Sequence, residues 1–390
     1  MRNLLWLFFG IASISLHAQE TSIFPWLGRS IGKLPMLAYG LGEDRLGGAK
    51  MGYIDTAVVL KVVDSTKDMY KVQLSKLHTA FIAKSDIRQD TAIKQKPFYL
   101  TNSWSVRGTE EGYDMVTISM DEKLPYKSWM EIDPAKIMVE LYGVQSNTNW
   151  ITQLRSAKAV KNIYFNQVED DVVRVTIELK KKQHWGYAIA YRGKALSIKV
   201  RQQPKTLRVR NMVIAVDAGH GGSNTGATGK TSKIQEKEYT LRFAKELERY
   251  LQRKGATVIM TRTLDTNINN VDRVLWLQQQ QPDMLISLHL NSAGNVAVKG
   301  TSTYYKHIGY RPLSTAVLKR MLDLKLNEFG NVGNFNFMLN SPTDFPNTLV
   351  EVAFLSNEED EQKIMSPKFQ RATAKQIHKG IRDWLRCVKR

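Results

Sequence analysis

Two histidines and three glutamates in the last 180 residues carry the types and placement that could do chemistry. His220 follows the apolar run Val213-Ile-Ala-Val-Asp-Ala-Gly-His-Gly-Gly222, and His289 follows Leu285-Ile-Ser-Leu-His-Leu-Asn291. Glu236 and Glu238 lie in Ile234-Gln-Glu-Lys-Glu238, just before a helical stretch, and Glu351 lies within Thr348-Leu-Val-Glu-Val-Ala-Phe-Leu-Ser-Asn357. Two imidazoles and one carboxylate form a catalytic zinc set whose fourth position is open to water. A remaining carboxylate then serves as general base. Spacing alone does not select this reading, because a lone loop histidine is more often structural. What favours it is that both histidines and the acids fall at predicted strand ends or helix starts of one sheet, where open α/β sheets gather their sites.

The elements that must position these groups follow from periodicity. From Met212 onward, strand-type runs (Met212–Val216, Thr257–Met260, Met284–Leu288, Leu349–Val352) alternate with helical stretches. Tyr239–Leu251 repeats apolar residues at a 3.6 period, Asn270 is placed to cap Val271–Gln280, and Lys368–Leu385 reads as a further helix. The expected layer is α/β with a largely parallel sheet. The stretch before it is all β. Four short β-type runs (Met36–Leu41, Ala57–Val63, Met69–Leu74, Thr79–Ala83) suggest a small barrel over residues 20–95, with Ser22–Gly28 as a linker or strap. Longer runs between Tyr113 and Val200 suggest a β-sandwich over residues 97–203, and residues 204–211 read as a linker to a catalytic domain at 212–387. Trp104, Trp129, Trp150 and Trp185 in the sandwich are either a glycan-stacking platform or, more commonly for such residues, core aromatics.

Composition narrows the setting. Residues 1–19, with Arg2 and the run Leu4–Leu16, read as an export signal, which places the chain in the periplasm or cell envelope, not membrane-spanning once the signal is cut. The single cysteine, Cys387, excludes an internal disulfide and a cysteine-based zinc site. A net charge of +19 suits polyanions, and for an exported chain the anionic polymers of the envelope are the expected ones, not nucleic acid. Gly229-Lys-Thr231 hints at a phosphate loop, but Asn224 stands where that loop needs glycine, so no nucleotide is expected. Residues 223–233 read instead as one wall of a substrate cleft.

Five segments, in order, sharpen the reading: Asp217-Ala-Gly-His-Gly-Gly222, Gln235-Glu-Lys-Glu-Tyr239, Met260-Thr-Arg-Thr263, Ile286-Ser-Leu-His-Leu-Asn291 and Leu349–Asn357. Over residues 212–386 they resemble the zinc-dependent N-acetylmuramoyl-L-alanine amidases of the cell wall. The resemblance implies one zinc ion on His220, Glu236 and His289, with Glu351 as the essential acid and Glu238 facing solvent. It implies an α/β domain with helices on both faces of a mixed sheet, and cleavage of the amide between N-acetylmuramic acid and L-alanine in peptidoglycan. Residues 20–95 resemble a Src-homology-3-like module. The run Asp171–Leu179, with Ile137–Gly143 and Trp150, resembles an AMIN targeting module. Leu290 and Ala353 stand where smaller residues are usual in the amidases, which would narrow the cleft. Some relatives insert a helix between the second histidine and the acid that plugs the site; the 61 residues between His289 and Glu351 leave little for one. Asn291, Arg262 and Tyr304 are further candidates for the cleft lining. The expected protein is a monomer. Its alternatives are a catalytically silent peptidoglycan-binding protein and a zinc peptidase acting on peptide cross-links.

Overall fold

The computed structural model describes residues 23–41, 50–94 and 96–389. The expected export signal lies outside the described residues. Three regions follow one another along the chain. In the first, seven strands form one sheet in the order Lys50–Tyr53, Met36–Ala38, Thr79–Ala83, Met69–Gln73, Val59–Ser65, Trp26–Ser30, Ile87–Gln89. The expected strap is therefore half wrong. Trp26–Ser30 is a strand that pairs antiparallel with both Val59–Ser65 and Ile87–Gln89. Its partners are distant in sequence, so neither a hairpin turn nor an alternating pattern announces it.

The second region holds two sheets. One has four strands, with Ala135–Tyr142 and Val172–Leu179 at its centre, and the other has six, centred on Tyr113–Met120. These strands are apolar on the faces they bury: Ile137, Val139, Leu141, Val173, Val175, Ile177, Val116 and Ile118 are all at most 1% exposed. They share one continuous core with Leu37, Leu60, Val62, Val72 and Ile82 of the first region. Trp104 and Trp185 are buried, whereas Trp150 is 68% exposed. The four tryptophans thus do not form one stacking surface.

The third region is a six-stranded mixed sheet in the order Thr257–Met260, Val213–Ala218, Met284–Asn291, Asn347–Phe354, Thr301–Tyr304, Glu328–Val332. The first four strands are parallel, Thr301–Tyr304 runs antiparallel to Asn347–Phe354, and the edge strand is parallel to Thr301–Tyr304. Helices α1 (Glu236–Arg253), α3 (Arg311–Met321) and α5 (Pro367–Lys389) cover one face through a core that includes Ile214, Val216, Ile286, Leu288, Val350 and Val352. Helix α2 (Asn270–Gln280) packs on the other face, where Leu277 meets Ala215 and Leu285. The alternation of side chains along each buried strand makes this division.

Capping fixes the helix starts. Asn269, not Asn270, caps α2 by accepting from the Asp272 N–H. Asn357 does the same for α4 (Glu358–Met365), whose first turn carries four acids beside the positive end of the helix dipole. Helix α4 and the edge strand Glu328–Val332 were not anticipated. Leu290 and Ala353 are corrected: both are buried in the helix-side core, so they do not narrow a cleft. Between His289 and Glu351 the described residues hold α3, which packs in the helix-side core through Leu313 and Val317, and otherwise only single helical turns such as Met338–Asn340.

The expected linker 204–211 is short and partly structural, with Val209 buried in the third region's core. The regions also join directly. Tyr187 and Thr343 bond reciprocally, each through a 2.7 Å bond, and Arg201 pairs with Asp283 at 2.7 Å. Gly186 has φ +119°, and a Cβ there would sit 2.1 Å from the Asp344 carbonyl oxygen, so the close approach requires glycine. Trp185 packs on Trp384 of α5 with centroids 5.2 Å apart.

Candidate active site

Parallel strands that end together leave their last residues facing one crevice. Val213–Ala218 delivers Gly219 and His220, and Met284–Asn291 delivers His289. The neighbouring strand sets Glu351 in register opposite His289. Glu236 opens α1, and Glu238, two residues on, is exposed. The ligand atoms of His220, Glu236 and His289 all lie within 4.8 Å of one another. His220 Nε2 is 3.1 Å and His289 Nδ1 3.0 Å from the same Glu236 oxygen, Oε1. Ligands bound tetrahedrally to zinc at their usual lengths stand about 3.4 Å apart, so this set of two nitrogens and an oxygen fits such an ion.

Each of these groups is held from behind. The Asn224 side-chain oxygen lies 2.8 Å from His220 Nδ1, which leaves Nε2 as the free ligand nitrogen if Nδ1 carries the proton. Glu236 accepts from the Leu290 N–H at 3.0 Å and, on its other oxygen, from the Ala227 N–H at 2.8 Å. Burial works against ionising Glu236, but the two imidazoles outweigh it and keep the carboxyl well below its ordinary range. His220 itself sits at φ +62°, a left-handed conformation uncommon for a non-glycine residue. Arg273 holds that turn by donating to the Ala218 carbonyl at 2.7 Å and to the His220 carbonyl.

Arg273 is in turn neutralised by Asp217 at 2.7 Å, deep in the sheet, where Thr261 and Ser287 each donate to the same carboxylate at 2.6 Å. Burial would raise the Asp217 pKa, yet Arg273 and its other partners hold it below the usual carboxylate value. Sequence reasoning did not single out Asp217 or Arg273. The available signal was a carboxylate closing an apolar run, which demands a buried cation.

Glu351 differs from Glu236. It is 7% exposed, and its Oε2 has no hydrogen-bond partner among the described residues. Burial, with repulsion from the Glu236 carboxylate, pushes its pKa well up. A carboxyl with a raised pKa beside the ligand set is suited to moving a proton near neutral pH.

The other candidates divide. Tyr304 is near the site: its ring packs edge-on against Phe337, which lies parallel to the His289 ring with centroids 6.4 Å apart. Burial, with Glu351 close by, raises the Tyr304 pKa, and the Asn291 side chain beside it partly offsets the rise. Arg262 is 3% exposed and donates to the carbonyls of Ala218, Gly219, Lys237 and Leu264. It supports the loop beneath His220 and does not line the cleft. Residues 223–233 likewise brace the ligands: besides Asn224 and Ala227, the Thr231 and Ser232 N–H groups are tied to buried Glu361. Glycine is required twice here. A Cβ on Gly219 would meet the His289 ring at 2.3 Å, and one on Gly226, at φ +67°, would meet Glu236 at 2.5 Å.

Two stretches of the chain match known families. Residues 214–383 match the N-acetylmuramoyl-L-alanine amidase family, and residues 105–210 match the AMIN domain. The chain is 31% identical over 190 residues to a probable cell wall amidase, LytH, of Staphylococcus saprophyticus, covering 48% of this chain and 64% of that protein. It is 32% identical over 180 residues to LytH of Staphylococcus aureus, covering 45% and 58%. The chain thus spans less than two thirds of the length of these curated relatives. Among solved structures, the catalytic domain of CwlV, an N-acetylmuramoyl-L-alanine amidase from Bacillus (Paenibacillus) polymyxa var. colistinus, aligns at 31% identity with a TM-score of 0.43, covering 45% of this chain and 98% of that one. The C-terminal region of this chain, residues 214–383, belongs to the N-acetylmuramoyl-L-alanine amidase family and follows an AMIN domain at residues 105–210.

Proposed function

We propose that the chain is an exported, zinc-dependent peptidoglycan hydrolase that cleaves the amide between N-acetylmuramic acid and L-alanine. The observation that carries this reading is the convergence of His220, Glu236 and His289 within 4.8 Å of one another, with Glu351 in register beside His289. A zinc ion held by these three ligands supplies Lewis-acid polarisation of a carbonyl and makes water acidic enough to attack near neutral pH. Glu351 takes the proton of the attacking water and passes it to the nitrogen of the leaving L-alanine. The Asp217–Arg273 pair and Arg262 fix the turn that carries His220, so the ligands meet the substrate in a set geometry. The Tyr304 and Phe337 rings exclude water from one side of the cleft.

The AMIN domain and the N-terminal sheet, read as a small Src-homology-3-like barrel, hold the enzyme on peptidoglycan and on anionic envelope polymers. The protein works as a monomer, without a self-inhibiting helix. The test is digestion of peptidoglycan sacculi by the zinc-loaded mature protein, with products read by mass spectrometry. Release of intact stem peptides with a new L-alanine amino terminus supports the reading. Products in which only peptide cross-links are cut would replace it with a peptidase, and the absence of any product with zinc bound would replace it with a binding protein.

A further inference from the structure

Two lysines from distant parts of the chain meet where the three regions join. Lys50 lies on the strand Lys50–Tyr53 of the N-terminal sheet, and Lys306 follows the strand Thr301–Tyr304 of the C-terminal region. Both line a cavity of about 250 Å³, together with residues of the second region such as Tyr126 and Ser128. Both ammonium groups converge on one residue: Lys306 Nζ donates to the Asn336 side-chain oxygen at 2.9 Å, and Lys50 Nζ donates to the Asn336 carbonyl at 3.4 Å.

Among the described residues neither lysine has a carboxylate within ion-pair distance. The acids that line the same cavity are already engaged: Asp55 accepts from the Thr56 and Tyr191 N–H groups, and Asp344 accepts from Gln278. Burial lowers the pKa of both lysines, and repulsion from Lys50 helps bring Lys306 down to about 8. Two half-buried like charges without a counter-ion among the described residues are costly, and an anion would relieve them.

The cavity is tied to the metal ligands by a short path. Asn336 stands between Phe335 and Phe337. Their rings pack on each other at 4.5 Å and on Tyr304 at 5.0 and 5.2 Å, and Phe337 lies along His289. A peptide with its amide nitrogen at Glu351 would reach the lysines by running over these rings. A peptide ends in a carboxylate.

We infer that Lys50 and Lys306 form a carboxylate-binding subsite, in which the N-terminal sheet and the amidase region together take the terminal carboxylate of the stem peptide being released. The inference rests on the proposed amidase reading. It makes the N-terminal sheet a contributor to substrate choice and not only a tether.

The test compares muramoyl-tetrapeptide as the free acid with the same compound carrying a C-terminal amide, using the full-length mature protein. The wild type is expected to prefer the free acid through a lower KM. In Lys50→Met, and separately in Lys306→Met, the ratio of kcat/KM for acid over amide should fall about tenfold, the size expected for losing a hydrogen bond between charged groups. Lys50→Arg should keep most of the preference. An unchanged ratio in Lys50→Met, a variant on an edge strand whose folding is checked by circular dichroism, would overturn the subsite. If the wild type cleaves neither compound, the amidase reading fails. Calorimetric titration of the free tetrapeptide and its amide then decides the subsite alone: a preference for the acid that Lys50→Met erases upholds it, and equal affinities overturn it.

Discussion

The His220–Glu236–His289 site and the cavity of Lys50 and Lys306 are built on opposite electrostatic plans. Around His220, Glu236 and His289 most charges are engaged: Asp217 neutralises Arg273, Arg262 donates to backbone carbonyls and Glu236 lies between two imidazoles, while Glu351 keeps one oxygen without a partner among the described residues. In the cavity two ammonium groups share one asparagine and, among the described residues, no carboxylate. The first is supplied wholly by the C-terminal region, while the second borrows Lys50 from a strand more than 200 residues earlier. A matched, buried network holds geometry, which catalysis needs. An unmatched pair leaves charge available to a ligand. On the inference drawn above, chemistry and substrate choice are drawn from different parts of the chain.

The comparison breaks most easily at Glu351. Glu351→Gln keeps the shape of the side chain and removes its basicity, so kcat/KM for amide cleavage should fall by about 10³-fold, with zinc content by elemental analysis unchanged. Next in size is the buried pair. Asp217→Ala leaves Arg273 charged, buried and without its counter-ion, and denaturant unfolding should show a loss of about 3–5 kcal/mol. A loss below about 1 kcal/mol would mean that the network is not what fixes the ligand site. Gly219→Ala is a smaller and more local probe. Its Cβ would collide with the His289 ring, so zinc affinity measured by chelator competition should drop at least about tenfold with little change in fold.

A pH-dependent effect belongs beside the lysine cavity, which His307 also lines. Burial, with Lys306 adjacent, pushes the His307 pKa down to about 4, against an ordinary value of 6.5. The unfolded chain therefore takes up a proton first as the pH falls. The stability that His307 contributes is present above about pH 6.5 and is lost on the way down to about pH 4, by at most about 3 kcal/mol. His307→Gln should flatten that part of the stability profile measured by urea unfolding.

Much of the ligand site was legible in the sequence, because strand ends aim side chains at a common crevice and an apolar run marks a strand. His220, His289 and Glu351 stand out as candidates on that ground, while the choice of Glu236 over Glu238 came from the resemblance to the amidases. Direction was not legible. Arg262 is a cation near the crevice, yet it points inward to hold carbonyls, a fact set by which face of the chain its backbone presents. Leu290 and Ala353 look like changes to a cleft and are core residues: alternation puts Leu290 opposite His289 on the helix side, whereas Ala353, two residues after Glu351, joins that core where the strand pairing is irregular. The strand Trp26–Ser30 was hidden because its pairing partners are remote. The lysine cavity was hidden for the same reason: no local pattern links Lys50 to Lys306, and only the docking of the N-terminal sheet brings them together.

The central claim is that His220, Glu236, His289 and Glu351 act as one amide-cleaving site. The most direct measurement is single-turnover cleavage of a defined muramoyl-peptide by the zinc-loaded wild type and by Glu351→Gln, with the free peptide amino terminus as the readout. The account predicts stoichiometric release by the wild type and a rate about 10³-fold lower for the variant at equal zinc occupancy. Equal rates for the two proteins would contradict it.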